Sequence, residues 1–268
     1  MTKKELETLY YESCRVVTRA GKFLLGEFGK VEKEEIETKS LNSLVSYADK
    51  EAEKILVEGL AKCLPGSVFL TEEKTTEQKS GTYQWIIDPL DGTTNFLHRI
   101  PIFAVSVGLR HEGEIILGIV YDPNRSECFY AWKGGGAFLN GKPIKVKDND
   151  NLADSLVATG FPYYDFEYTP EYLKILEELM QNTRGLRRPG SAAIDLAYTA
   201  CGRFDAFYEY NLQVWDVAAG LLLVREAGGV LCDFSGGEKY KDGTEVIAGS
   251  PEVAAAVCQI TRKYWTKK

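Results

Sequence analysis

Apolar residues recur at helical spacing from the start of the chain. Leu6, Leu9, Val16, Val17, Phe23 and Leu24 lie on one face of an expected first helix, which ends near Gly26 to Gly29. Residues 30–47 are polar and irregular. A second helix is expected from Asp49, its candidate N-cap, to about Cys63, where Pro65-Gly66 stops it. "SVFLT" and "YQWIID" read as strands. "FAVSVGLR", "EIILGIVYD" and "ECFYAW" alternate apolar and polar residues and predict an antiparallel meander, with a turn at His111-Glu112-Gly113. "SLVATG" opens the second half. "TPEYLKILEELM" predicts a helix with Thr169 at the N-cap, Pro170 at the first helical position, and Leu173, Leu176 and Leu179 or Met180 facing inward. "SAAIDLAYTACG" predicts a helix closed by Gly202, "RFDAFYEY" a strand, and "WDVAAGLLLVREAGG" a helix closed by a glycine pair. "EVIAGS" and a helix from Pro251 complete the pattern. No repeat, low-complexity run or Pro/Ser-rich linker interrupts it. The expectation is one α+β unit spanning 1–268, with halves of about 1–148 and 152–268 that meet at a polar turn.

Composition narrows the function classes. The chain has 268 residues, 44% hydrophobic and 26% charged, with a net charge of −7 from 32 basic and 39 acidic residues. That balance argues against general affinity for nucleic acid. The N-terminal stretch lacks the apolar core of a secretory signal, and the longest apolar run, around Ala218 to Val224, is too short to span a bilayer. A soluble, cytoplasmic protein is expected. The six cysteines are scattered without C-x-x-C and read as small buried hydrophobes. With only His98 and His111, neither zinc ligation nor a Ser-His-Asp triad has much to draw on, so any metal would be hard and oxygen-bound.

Two familiar motifs fail. G-x-S-x-G is absent. "GAFLNGKP" fits G-x-x-x-x-G-K at Gly136, Gly141 and Lys142, but Pro143 replaces the magnesium-binding Ser or Thr, and the context is a turn between short strands. "WIIDPLDGTTNF", residues 85–96, is more informative. An apolar strand delivers Asp88, Pro89 fixes φ and helps stop the strand, and Gly92 frees the backbone so that Asp91 swings to the same side. Thr93 to Phe96 can then begin a short helix whose N–H groups face the turn, placing amides for an anion beside carboxylates for a cation. Taken alone, the stretch reads first as an Asp-Pro/Asp-Gly turn that caps a helix. Glu72-Glu73, Trp215-Asp216, and the Lys39 to Asp49 segment each have a similarly plain reading as solvated loop, helix cap or surface charge. Together, Glu72, Asp88, Asp91 and Asp216 would supply the several oxygens that a hard divalent cation requires.

These segments resemble the inositol monophosphatase family, within the lithium-sensitive, magnesium-dependent sugar phosphatase superfamily. The family's W-x-x-D-P-[ILV]-D-G-T-x-N-[FY] string is matched throughout Trp85 to Phe96. Its W-D, apolar helix and glycine pair are matched by "WDVAAGLLLVREAGG". "KSLNSLVSYAD", "TEEK" and "PGSAAIDLAYTACGRFDAFYE" match further segments in the family's order, over essentially the whole chain. The resemblance implies a layered αβαβα sandwich with mixed or antiparallel sheets between helices. It also implies a Mg2+-dependent phosphomonoesterase acting on inositol monophosphate or a similar polyol phosphate. Glu72, Asp88 and the Leu90 carbonyl would hold a first Mg2+; Asp88, Asp91 and Asp216 would hold a second; Glu72 would face a weaker third. Asp49, Glu72 and Thr93 would be catalytic, with Asp49 and Thr93 orienting and deprotonating the attacking water. Asp91, Gly92, Thr93 and Asp216 would meet the phosphate side of the substrate, and Glu209 with Gly190, Ser191 and Ala192 the polyol side. Such a two-ion site, with ions about 3.5–4 Å apart, stabilises both the attacking and leaving oxygens without a covalent nucleophile.

Three positions depart from the family pattern: Thr71 where many relatives have Gly, Lys74 where many have Ser, and Gln213 where some carry His or Arg. The first two imply a stiffer Glu72 loop or a displaced third ion; the last bears on substrate choice, and Lys39 is a further candidate substrate contact. Fructose 1,6-bisphosphate and a 3′-phosphoadenosine nucleotide are the alternative substrates. An alternative of another class is RNA or transcription-complex binding through Arg184, Arg187 and Arg188 in "RGLRRPG", a cluster that otherwise reads as solvated or dimer-facing. The expected partners are a small-molecule phosphate monoester and a second copy of the chain, with no membrane and no nucleic acid.

Overall fold

Helix α1 (Lys3–Glu27) begins at Thr2, whose side chain exchanges hydrogen bonds with Glu5 in a capping box. Helix α2 (Tyr47–Cys63) begins the same way: Ser46 is the N-cap, and Asp49 sits at its third helical position, accepting from the Ser46 backbone N–H at 2.9 Å. This corrects the expectation that Asp49 is itself the cap. Ser46-x-x-Asp49 is the reciprocal box, and it places the Asp49 carboxylate one turn inside the helix. The computed structural model describes residues 1–40, 43–162 and 166–266, without the side chains of Lys3, Lys33, Lys39, Ser40 and Ser43. Among these residues, no helix is long and apolar enough to cross a membrane.

The polar segment before α2 contains a short antiparallel pair, β1 (Glu37–Ser40) and β2 (Ser43–Val45), which its irregular pattern does not predict. A seven-stranded sheet follows in chain order: β3 (Val68–Thr71), β4 (Tyr83–Asp91), β5 (Ala104–His111), β6 (Glu114–Asp122), β7 (Glu127–Trp132), β8 (Gly136–Leu139) and β9 (Lys142–Ile144). Only β3 and β4 pair in parallel; the rest form the expected meander, extended by a β8–β9 hairpin that turns at Asn140-Gly141. The P-loop look-alike is therefore a hairpin turn. Helix α3 (Thr93–Leu97) fills the corner between β4 and β5.

The second sheet has five strands, ordered β11-β10-β12-β14-β13: β10 (Leu156–Thr159), β11 (Gly185–Arg187), β12 (Ala206–Tyr210), β13 (Val230–Cys232) and β14 (Glu245–Gly249). β10 runs parallel to β11 and β12, and β14 antiparallel to β12 and β13. The helices of this half are α4 (Thr169–Asn182), α5 (Ala192–Ala200), α6 (Val214–Glu226) and α7 (Pro251–Tyr264). β11 and β13 have three residues each, too few for their alternation to stand out from a loop.

Three apolar cores stack these elements into helix, sheet, helix, sheet, helix layers. Leu24 and Leu56 from α1 and α2 meet Trp85, Val107 and Ile119 from one face of the larger sheet. Its other face packs Val120 and Phe129 with Leu196 of α5, Leu222 of α6 and Phe207 of the smaller sheet. Tyr208, the next residue on β12, faces the third core with Ile175 of α4 and Val257 of α7. Adjacent residues on β6 and β12 thus serve different cores, as the two-residue period of a strand requires, and both sheets are covered on both faces. The layered αβαβα expectation holds.

The α4 expectation needs two corrections. Its cap residue is Tyr168, with Thr169 and Pro170 already helical, and its buried face carries Tyr172, Ile175 and Leu179. Leu173 and Met180 are more than half exposed. Tyr172 decides the register: its ring packs with Tyr208 and Tyr210, and its hydroxyl donates to the Gly160 carbonyl at 2.7 Å, which an all-aliphatic stripe overlooks.

α6 lies unusually close to the larger sheet. A Cβ on Gly108 of β5 would stand 3.1 Å from the Ala218 Cβ, and one on Gly118 of β6 only 2.7 Å from the Ala219 carbonyl. These paired glycines (register partners across β5 and β6) let the helix seat directly on the backbone. The first turn of α6, with Asp216, is thereby held against β4 and β5.

Candidate active site

β4 does not stop at Pro89. It runs to Asp91 through a bulge, in which Asp88 pairs with Ser106 and Asp91 with Ala104, so Pro89 and Leu90 oppose a single residue, Val105. Proline is tolerated there because a bulge interrupts the ladder, and the extra residue re-aims the strand's end. The Leu90 N–H donates to Asp88 Oδ1 at 2.9 Å and fixes that carboxylate. Gly92 then takes φ +96°, and a Cβ there would meet the Ile102 carbonyl at 2.9 Å, so the turn into α3 requires glycine on both counts. The stretch is thus a turn whose residues line a cavity.

The bulge opens into a cavity of about 380 Å³ lined by Glu72, Asp88, Leu90, Asp91, Gly92 and Thr93 from the first half. Gly190, Ser191, Ala192, Glu209, Gln213 and Asp216 line it from the second. Asp49 stands just behind. Thr93 Oγ1 lies 3.0 Å from Asp49 Oδ1 and 2.9 Å from the Leu90 carbonyl, so its one hydroxyl hydrogen has two acceptors. Asp91 joins the halves: its Oδ2 accepts from Ser191 Oγ at 2.5 Å and from the Ala193 N–H at 2.7 Å, at the start of α5. Asp216 Oδ2 accepts from the Gln213 N–H at 2.7 Å, so the α6 capping contact fixes it. Every sequence-predicted site residue whose side chain is described therefore lies in the cavity or in direct contact with its wall. Lys39 is on β1, and its side chain lies outside the described residues.

The electrostatics are those of crowded acids. Burial pushes Asp88 well above the ordinary carboxylate range, and the charges of Glu72, Asp91 and Asp216 push it further. Asp216 rises well above its ordinary value through desolvation of its carboxylate at the cavity wall, then the charge of Asp91. Asp91 is pushed up to about 6, chiefly by burial, against the hydrogen bonds from Ser191 and Ala193. Burial also raises Asp49, against its bonds from Ser46 and Thr93. Among the described residues, no three of these side chains close on one point as a finished ligand set. Their chemistry nonetheless fits a hard divalent cation: every donor is oxygen, several are carboxylates from separate elements, and a cation relieves the repulsion that raises them.

Several wall residues escaped the sequence reading. Asp195 is 1% exposed on α5, with burial and the Glu209 charge raising it well above the usual range. A lone acid inside the apolar run "AAIDLA" was the available signal. Glu209 is raised likewise by burial, opposed by the positive charge of Arg188. Arg188 itself lines the cavity, its guanidinium 5.6 Å from the Phe161 ring centre. Arg184 instead pairs with Asp154 at 2.6 Å. All three arginines of "RGLRRPG" are exposed, and Arg188 alone of them lines the cavity. Asn95 Nδ2 donates to the Ile102 carbonyl at 2.8 Å and the Pro189 carbonyl at 2.9 Å, tying α3 to the segment before α5.

Comparison with known proteins agrees with this geometry. The sequence model of the inositol monophosphatase family matches residues 5–266. The inositol-1-monophosphatase of Mesorhizobium japonicum is 42% identical over 91% of this chain and 92% of its own. The Nus factor SuhB of Escherichia coli is 41% identical, over 91% and 92%. The crystal structure of the extragenic suppressor protein suhB from Bartonella henselae superposes with a TM-score of 0.88 at 41% identity, covering 93% of this chain and 96% of that one. With the family's motif string at the mouth of the cavity and its layers around it, the chain belongs to the inositol monophosphatase family.

Proposed function

We propose that the chain, acting as one phosphatase domain over 1–268, is a Mg2+-dependent phosphomonoesterase. Its substrate is inositol monophosphate or a similar polyol phosphate, hydrolysed to the free alcohol and inorganic phosphate. The observation that carries this reading is a cavity with a cation-type carboxylate wall that includes Thr93, whose hydroxyl meets the Asp49 carboxylate just behind it. Glu72, Asp88, the Leu90 carbonyl, Asp91 and Asp216 would hold two Mg2+ ions, and a third would face Glu72. Bound there, the ions supply Lewis acidity and neutralise charge growing on phosphoryl oxygens.

The chain's own residues do the rest. Asp49 Oδ2 is fixed by Ser46 at 2.8 and 2.9 Å, leaving Oδ1 aimed at the Thr93 hydroxyl. When Thr93 gives its hydrogen to Asp49, its oxygen lone pairs are turned toward the cavity and can take a proton from water. Burial raises the Asp49 pKa, which makes it a stronger base in this relay. Glu209, with the Gly190 to Ala192 turn, presents polar groups to polyol hydroxyls. A homodimer and a cytoplasmic location accompany this reading.

Thr93→Val keeps the side chain's shape and removes the hydroxyl. It is expected to lower kcat for phosphate release about 10²–10⁴-fold, the range for a lost acid–base group, with the fold intact. A kcat within threefold of the parent chain would sink the relay. The relatives named Nus factor SuhB suggest a role in transcription, whereas the cavity, with Arg188 on its wall, is built of groups suited to hydrolysis. We adopt the hydrolytic reading, which the cavity carries.

A further inference from the structure

Glu53, one turn after Asp49 on the same face of α2, is fully buried. Its carboxylate is spent on the segment that carries Glu72. Oε1 accepts from Thr71 Oγ1 at 2.8 Å, from the Thr75 N–H at 2.7 Å and from Thr75 Oγ1 at 2.7 Å. Oε2 accepts from the Glu73 N–H at 2.7 Å. Three donors meet Oε1 and one meets Oε2, so the loop engages both oxygens of the carboxylate. The neighbouring N–H groups are held too: Thr71 donates to Gln78 Oε1 at 2.8 Å, and Glu72 to the Ile87 carbonyl of β4 at 3.2 Å. Between the Glu53 contacts, Lys74 adopts φ +54°, a left-handed conformation that a lysine rarely takes without support. Glu53 thus grips the loop on both sides of its least favourable residue and pins the peptide that follows Glu72.

We propose that Glu53 is a positioning residue for the cation site: it sets the place of the Glu72 carboxylate and thereby the affinity of the cavity for divalent metal. The inference rests on the reading of Glu72 as a metal ligand. Through α2, Glu53 also couples the loop to Asp49, so one helix face holds both a metal ligand's loop and the proton acceptor. Contacts of this kind, one step removed from the ligands, typically govern metal affinity by about 10–100-fold.

The test uses Glu53→Gln, followed by Mn2+ titration with electron paramagnetic resonance of the free ion. A glutamine oxygen at the Oε1 position keeps three bonds, while its NH2 group faces the Glu73 N–H donor to donor. The expected result is a dissociation constant for Mn2+ weakened about tenfold or more. The control is Leu56→Ala, in the same helix and buried in the apolar core, with a side chain that makes no hydrogen bond to the loop. It is expected to lower the melting temperature while leaving Mn2+ affinity within twofold of the parent. Should Glu53→Gln not fold, Thr75→Val removes one hydroxyl donor and is expected to weaken Mn2+ about threefold to tenfold. The proposal is overturned if the folded Glu53→Gln, or in its place Thr75→Val, binds Mn2+ like the parent. It is also overturned if Leu56→Ala weakens binding as much. If the parent chain binds no Mn2+, the reading of the cavity as a cation site fails, and this inference with it.

Discussion

Replacing Asp91 with asparagine is expected to reduce phosphate release about a thousandfold and leave the fold intact. Both hydrogen bonds that Asp91 accepts from the start of α5 end on one oxygen, Oδ2, at 2.5 and 2.7 Å. An asparagine carbonyl can occupy that position and keep the two halves joined. What is lost is the negative charge and the second oxygen, which the proposed site needs for a cation. A metal's stabilisation of the transition state is worth several kcal/mol, and ~4 kcal/mol corresponds to three powers of ten in rate. Without metal, the variant should melt no lower than the parent, because removing Asp91 relieves the charge that raises Asp88 and Asp216. Steady-state kinetics and thermal melts check both halves; parent-like turnover in a folded Asp91→Asn protein would refute its role.

The same crowding predicts how stability responds to pH and metal together. Burial and like charge raise Asp88, Asp216, Glu209 and Asp195 in the folded chain, and Asp91 reaches about 6. Unfolded, these groups titrate near pH 4. The folded, metal-free chain therefore holds extra protons between those values. The associated stability is fully present below about pH 4 and is lost as pH rises through 6 and beyond. A divalent cation binds the deprotonated cluster and reverses that loss. At one hundred times its dissociation constant it adds about 2.7 kcal/mol. With about 2–4 °C per kcal/mol for a chain near this size, the gain is roughly 5–10 °C. Melting temperatures with MgCl2 and with chelator should differ by that much at pH 7.5 and draw together towards pH 5. A gap that is constant or widens on acidification would contradict the charge cluster.

Much of this site was legible because its residues are contiguous or punctuated. Trp85 to Phe96 carries its strand, turn and helix start in sequence, and the Asp216 segment opens a plainly apolar helix. Contacts between distant segments left weaker marks. Glu53 looks like one more acid on a polar helix until β3 and its loop fold over it. The cap of α2 was displaced by three residues because Ser46 and Asp49 are both good cap formers, and only the reciprocal bonds decide between them. Continuation of β4 through Pro89 defied local propensity, since a bulge removes the need for the missing N–H. In α4, leucine spacing pointed to Leu173, while the buried Tyr172 hydroxyl and ring set the actual face. Strands of three residues, such as β2, β11 and β13, take their identity from their partners.

Hydrolysis of phosphate monoesters in the carboxylate cavity with the help of bound magnesium can be tested directly. Phosphate release should be followed from inositol monophosphate, fructose 1,6-bisphosphate and a 3′-phosphoadenosine nucleotide, each with MgCl2 and with excess chelator. Release is expected to be fastest from inositol monophosphate and to fall to background in chelator. Equal release with and without magnesium, or none from any of the three when magnesium is present, would contradict it.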